Sequence, residues 1–241
     1  MLSSEATVRP SLILLPAAGK CTTSSPNETA ELVSISNFAA LSTSAIAAAC
    51  AALIEGEPKL TEWDTIVGDG DCGITMLRGA KEVKKRLEEG NLSVECPSKL
   101  FSELADAVSA VMGGTSGILF ELMLRKMSRS LMDAQKGGSA VDEAALCMSF
   151  AAGVQAGSFY GGARIGYRTM MDALLPAADV SQEGFGAIAN AASAGADSTI
   201  EMNVARAGRS SYLSEETLSN TPDPGAKAVA FILAAASKAV Q

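Results

Sequence analysis

From about Asn37 to the C-terminus one pattern recurs: apolar residues return every three or four positions, with scarcely any strand-like alternation. That period buries one stripe of a helix and leaves the rest wet. Ala dominates the 48% hydrophobic content and aromatics reach only 5%. Ala, Leu, Met, Glu and Lys favour helix over strand. The predicted helices are 37–56, 72–89, 98–112, 116–135, 140–159, 167–177, 182–206 and 224–240. Met76, Ala80, Val83 and Leu87 form one buried stripe, Leu119, Met123, Met127 and Leu131 a second. Val229, Leu233 and Ala236 form a third, behind Asp223 as cap and Pro224 in the first turn. Small-residue runs at 47–50 and 191–195 let helices approach closely, so a compact all-α bundle or barrel is expected. Residues 1–35 are rich in Ser, Thr, Pro and Ala without a period and read as a linker or poorly ordered tail. Residues 36–241 are then the helical domain.

Charge and residue usage exclude several functions. The net charge is −8 with no long basic run, which argues against a nucleic-acid partner. No uninterrupted apolar run reaches the roughly 18–20 residues that span a bilayer, and Ser11–Pro16 lacks the flank of a signal peptide. Cys21, Cys50, Cys72, Cys96 and Cys147 are widely spaced, with no CxxC. They read as reduced thiols, so a soluble, cytoplasmic chain is expected. The sequence contains no histidine at all. Ser-His-Asp catalysis, His-ligated zinc and phosphohistidine are therefore excluded within this chain.

The densest chemistry is Asp64-Thr-Ile-Val-Gly-Asp69-Gly-Asp71-Cys-Gly-Ile-Thr75, three carboxylates just ahead of a predicted helix. Carboxylates this close raise each other's pKa unless a cation lies between them. Mg²⁺ commonly takes one or two carboxylates together with substrate phosphates. Gly68 and Gly70 alternate with Asp69 and Asp71, so the backbone can turn sharply. The free amides at the helix start form a place for phosphate. An Asp-Gly-Asp can be a plain turn. A calcium-binding EF-hand loop would need Glu at its twelfth position, where counting from Asp69 there is Ala80. The residues favour a Mg²⁺–nucleotide site.

Three further inter-helix segments carry candidate ligands. Met112-Gly-Gly-Thr115-Ser116-Gly117 places two hydroxyls at a helix start; it reads equally as an anion cradle or an N-cap turn. Gly161-Gly-Ala-Arg-Ile-Gly166 leads into Tyr167-Arg-Thr-Met170-Met-Asp172. Ala207-Gly-Arg209-Ser-Ser-Tyr212 precedes Pro222-Asp223-Pro224-Gly225. Arg209 could hold a phosphate bidentately or be a solvated surface residue. Asp223-Pro224-Gly225 could be only a helix start.

These motifs together resemble the nucleotide-binding domain of dihydroxyacetone kinases, equivalent to the L subunit of the bacterial multi-subunit system. The resemblance rests on WDTIVGDGDCG (63–73), GGTSG (113–117), GGARIGYRTMMDAL (161–174), GRSSYL (208–213) and DPGA (223–226), and runs from about residue 37 to the C-terminus. It implies an eight-helix antiparallel up-down barrel with the nucleotide on the inter-helix loops at one end. It also implies Asp64, Asp69 and Asp71 as ligands of two Mg²⁺ ions bridging the phosphates of ATP or ADP. Cys72, Gly73, Ile74 and Thr75, with Thr115 and Ser116, would bind phosphate. Gly161 and Met170 would line the adenine side, and Arg209, Asp223, Pro224 and Gly225 would close over the nucleotide. No residue is assigned a catalytic role beyond the metal ligands.

In that family dihydroxyacetone is held by a histidine on a separate substrate-binding domain. The resemblance thus implies half of an ATP-dependent glycerone kinase, its partner domain supplied in cis or in trans, the full-length form a homo-oligomer. Cys72 stands where phosphotransferase-linked subunits usually carry His, and Gly70 where they often carry Ala. Both favour the ATP-dependent single-chain type over an ADP-holding phosphocarrier or regulatory subunit. A related kinase on the same barrel, such as a fatty-acid kinase, is the other enzyme reading. Some single-chain members also cyclise FAD. Tyr167 departs from a position that is often Asp, and one extra residue lies between Arg209 and Asp223.

Overall fold

The computed structural model describes residues 33–138 and 140–241, so most of the expected tail, residues 1–32, lies outside the described residues. Its end is engaged: Val33 bridges Val141, and the Ser34 amide donates to the Val141 carbonyl at 2.9 Å. Among the described residues that parallel bridge is isolated and everything else regular is helical. The helices are α1 (Phe38–Val67), α2 (Cys72–Glu88), α3 (Pro97–Val111), α4 (Gly114–Lys136), α5 (Glu143–Gly161), α6 (Met171–Asp179), α7 (Phe185–Ser198), the single turn α8 (Glu215–Leu218) and α9 (Pro224–Ala239).

Each long helix packs against the next in the chain, and α9 closes onto α1 as well as α7. Short connections make most packed neighbours antiparallel, and across the long 199–223 connection the Asp223 amide, at the start of α9, donates to Thr199, at the end of α7. One end of the ring therefore gathers the C-termini of α1, α3, α5 and α7 with the N-termini of α2, α4, α6 and α9. Every segment singled out as a candidate ligand lies at that end.

The predicted stripes face inward. Met76, Ala80, Leu131, Val229 and Ala236 are buried. Between the staves lies an apolar cavity of about 260 Å³, lined by residues such as Leu53, Met76, Val83, Met123, Phe150 and Leu233. Small residues set the closeness of the walls. A Cβ on Gly195 would stand 2.1 Å from the Asp172 carbonyl, and one on Gly153 2.9 Å from the Met123 carbonyl.

Three expected boundaries move by four residues or more. α1 does not stop at residue 56 but continues through Pro58 to Val67. Gly56, which reads as a stop, is instead the contact surface for Phe231, whose ring would lie 2.7 Å from a Cβ there. The expected start of α6 at 167 shifts to Met171, because the Asp172 carboxylate draws in the amides of Gly166 and Thr169 and holds 166–169 as a loop. The expected 182–206 helix ends at Ser198, followed by a 3-10 turn at Thr199–Glu201. There the buried Thr199 hydroxyl donates to the Ala196 carbonyl and accepts from the Asp223 amide.

α1 also contains an 18-residue window of mean hydropathy 1.7, enough by length and composition to cross a bilayer. Ser42-Thr43-Ser44 interrupts the apolar run without adding charge. Here α1 is a stave of the ring, packed on α2 and α9.

Candidate functional site

The α1–α2 corner is built by Asp64. Standing in the last turn of α1 and nearly buried, its Oδ2 accepts the Asp71 amide at 2.8 Å and the Cys72 amide at 2.9 Å. A side chain from one helix thus satisfies the free donors that begin the next. Oδ1 stays available over Gly68, where a Cβ would stand 2.1 Å from it. Gly70 adopts φ +80°, the left-handed turn that reverses the chain between Asp69 and Asp71. Gly73 lies against α1, where a Cβ would be 2.2 Å from Thr61 Oγ1. The corner is tight because three glycines allow it.

One oxygen from each of Asp64, Asp69 and Asp71 falls within 4.8 Å of the others. That span suits hard divalent cations, whose oxygen ligands lie about 2.1 Å away for Mg²⁺. Burial, then the charges of Asp69 and Asp64, push the Asp71 carboxyl above its ordinary range, with Arg209 and Arg78 opposing. An anionic cluster that resists its own ionisation is the donor set that a cation relieves. Burial first, then Asp64, also raises the Cys72 thiol far above its ordinary value.

The segment between α7 and α9 crosses this corner. Arg209 Nε pairs with Asp69 Oδ2 at 2.9 Å, and the Ser210 hydroxyl donates to the Val67 carbonyl at the end of α1. Asp223 caps α9, accepting the Ala226 amide at 2.7 Å. Burial raises its carboxyl to about 7, against the pull of that amide and of Arg168. Gly225 meets Met170 at the start of α6, 3.6 Å from a built Cβ to the Met170 Cβ. At the start of α4, Gly114 has φ +69° and Thr115 is exposed. Gly117 packs on the Met112 carbonyl, 2.3 Å from a built Cβ. Gly161 ends α5 against Leu119.

The structure therefore brings Asp64, Asp69 and Asp71 together, with the Cys72 amide on Asp64 and Arg209 on Asp69, and sets Met170 against Gly225 of the Asp223-Pro224-Gly225 turn. Thr75, in the first turn of α2, follows from the same corner, its amide bonded to the Asp71 carbonyl. Gly73 serves chiefly as a packing contact and Ile74 is partly exposed beside it. Thr115, Ser116 and Gly161 stand at the same end of the ring on elements of their own. Sequence reasoning missed Arg168 and Asp172, which are 1% and 2% exposed and shape the loops. Polar residues next to Met and Gly in a loop motif carry no period, so nothing in the pattern marks them as buried.

The profile of the DAK2 domain matches residues 66–238. A putative 3,4-dihydroxy-2-butanone kinase from Solanum lycopersicum is 39% identical over 207 residues, 82% of this chain and 34% of the relative. The Citrobacter freundii dihydroxyacetone kinase is 35% identical over 188 residues, 77% of this chain and 32% of the relative. The human triokinase/FMN cyclase is 36% identical over 203 residues, 80% of this chain and 34% of the relative. This chain thus spans about a third of the length of the relatives it matches. The crystal structure of the C. freundii kinase in complex with AMP-PNP and Mg²⁺ superposes with a TM-score of 0.66 at 28% identity, over 93% of this chain and 38% of that one. An acidic corner crossed by an arginine, on a closed ring of helices that matches this profile, places the chain in the DAK2 domain family.

Proposed function

We propose that this chain is the Mg²⁺–nucleotide half of an ATP-dependent glycerone kinase, passing the γ-phosphoryl group to dihydroxyacetone or a related triose. The observation that carries the reading is the convergence of Asp64, Asp69 and Asp71 within 4.8 Å, with Arg209 across them. The relative solved with AMP-PNP and Mg²⁺ has the same fold and supports the same pairing of nucleotide and metal. Bound Mg²⁺ would neutralise phosphate charge as it develops, which is most of what phosphoryl transfer asks of a protein.

The chain's own residues do the rest. Asp64 Oδ1, Asp69 and Asp71 hold the cations, two in number on this reading. The amides of Gly73 and Ile74 at the start of α2, with the hydroxyls of Thr75, Thr115 and Ser116, hold phosphate, since the Cys72 and Thr75 amides are taken by Asp64 and Asp71. Gly161 and Met170 flank the base, with Asp223, Pro224 and Gly225 beside them. Arg209, paired with Asp69, would be released to a phosphate oxygen if that carboxylate held a cation.

The acceptor site lies elsewhere. With no histidine in the chain, the triose is held by a separate histidine-bearing domain. Ile66, Ile118, Phe159, Tyr160, Ile165 and Tyr212, in or next to the connections at this end, are each exposed, which suits a surface that meets such a partner. Free thiols at Cys50, Cys72 and Cys147 fit a reducing, cytosolic setting.

The test supplies the missing half. Adding the separately expressed remainder of the C. freundii relative, the part this chain does not match, with ATP, Mg²⁺ and dihydroxyacetone, is expected to give ADP release that requires both proteins and the triose. ADP release by this chain alone at the same rate would contradict the half-enzyme reading.

A further inference from the structure

Arg168 is the largest fully buried side chain among the described residues, 1% exposed, and it sits at φ +59°. Both features are costly. A non-glycine residue in the left-handed region is strained, and a buried guanidinium loses its hydration. They persist only where the surroundings demand that geometry. Here the fork reaches into the segment between α7 and α9. Nε donates to the Met202 carbonyl at 3.2 Å, and Nη2 to the Leu218 and Thr221 carbonyls at 3.3 and 2.6 Å. Its neighbour Tyr167 accepts the Arg206 amide at 3.1 Å. Three carbonyls of an irregular stretch, which no helix satisfies, converge on one side chain.

Those carbonyls bracket Arg209. Met202 lies before it, Leu218 and Thr221 after it, and the Asp223 cap follows immediately. Ser210 ties the middle of the segment to the end of α1. Nη1 has no hydrogen-bond partner and is buried, while the field of Arg168 acts on Asp223. The guanidinium also faces two buried carboxylates, Asp223 and Asp172.

We propose that Arg168 is a positioning residue that anchors the 202–223 segment and so holds Arg209 over the acidic corner for the nucleotide phosphates. This inference rests on the Mg²⁺–nucleotide reading of the site. The fork geometry is essential, because a lysine ammonium is a point charge that cannot span carbonyls from two places in the chain.

Calorimetric titration of Mg²⁺–ATP into the wild type, Arg168→Lys, Arg209→Ala and the double variant tests it. Arg168→Lys is expected to weaken binding about tenfold, the order lost when an outer-shell partner is removed. In the Arg209→Ala background the same change is expected to cost nothing further, because Arg168 acts through Arg209. Wild-type affinity in Arg168→Lys, or an equal loss in both backgrounds, would overturn the inference while leaving the nucleotide reading intact. Absence of Mg²⁺-dependent binding in the wild type would overturn the nucleotide reading and this inference with it. Should Arg168→Lys fail to fold, hydrogen exchange on the wild type decides. Amides of Arg206 and Asp223 protected like those of α9 support the anchor, and exchange at loop rates overturns it.

Discussion

The α1–α2 corner and the 202–223 segment bring opposite charges to one point and are held there by different means. The corner is local. Asp64 reaches the Asp71 and Cys72 amides only a few residues on, and three glycines permit the turn. The segment is remote in sequence and has little regular structure of its own. It depends on Arg168, Ser210 and Thr199, bonded to partners far along the chain. A locally encoded site survives mutation elsewhere, whereas a remotely anchored one fails when its anchors do.

The largest expected effect breaks the corner chemically. Asp69→Asn or Asp71→Asn is expected to cost about a hundredfold or more in Mg²⁺–nucleotide affinity, at the upper end of what metal-site changes remove. Circular dichroism should show the helices unchanged. In metal-free buffer the melting temperature of Asp71→Asn should hold or rise, since Asp69 and Asp64 already disfavour that charge. Loss of fold with affinity retained would contradict the assignment.

Breaking the corner sterically comes next. Gly73→Ala puts a methyl 2.2 Å from Thr61 Oγ1 and 2.5 Å from the Glu57 carbonyl. Overpacking of this kind costs about 1–3 kcal/mol, readable by urea denaturation. Gly113→Ala, with open space around its Cβ and φ −90°, is expected to be near neutral.

A pH titration sharpens the remote side. Asp223 has its carboxyl raised from 3.8 to about 7 by burial. The folded chain keeps a proton that the unfolded chain releases, so this group makes stability fall as pH rises from about 4 to 7. The raised Asp71 acts in the same direction. Thermal unfolding of the metal-free protein should show this slope. Asp223→Asn, which retains an acceptor for the Ala226 amide, should flatten it. An unchanged slope would mean that Asp223 is ionised in the fold.

The smallest effect is on stability from Arg209→Ala. Its pair with Asp69 is exposed, and such pairs contribute about 0–1 kcal/mol. Denaturation midpoints should barely move while nucleotide affinity falls. A large loss of stability would make Arg209 a structural residue.

The same contrast explains what could be read from the chain. The helical class, the inward stripes and the acidic corner were legible because each is written in a short window: a 3.6-residue period, or three aspartates across one turn. The Asp223-Pro224 cap was legible for the same reason. The continuation of α1 through Pro58 was not, because it depends on Phe231 of α9 filling the space over Gly56. Neither was the end of α7, set by Thr199 bonding across to Asp223. Arg168 and Asp172 were hidden for a related reason. Their burial follows from ring closure, which no local pattern states.

Calorimetric titration of ATP into the purified chain, with Mg²⁺ and then with EDTA, in wild type and Asp69→Asn, tests the central claim most directly. The account predicts binding that disappears with EDTA and in Asp69→Asn. ATP binding of equal strength with EDTA, or in Asp69→Asn, would contradict it, because the aspartates would then play no part in holding the nucleotide.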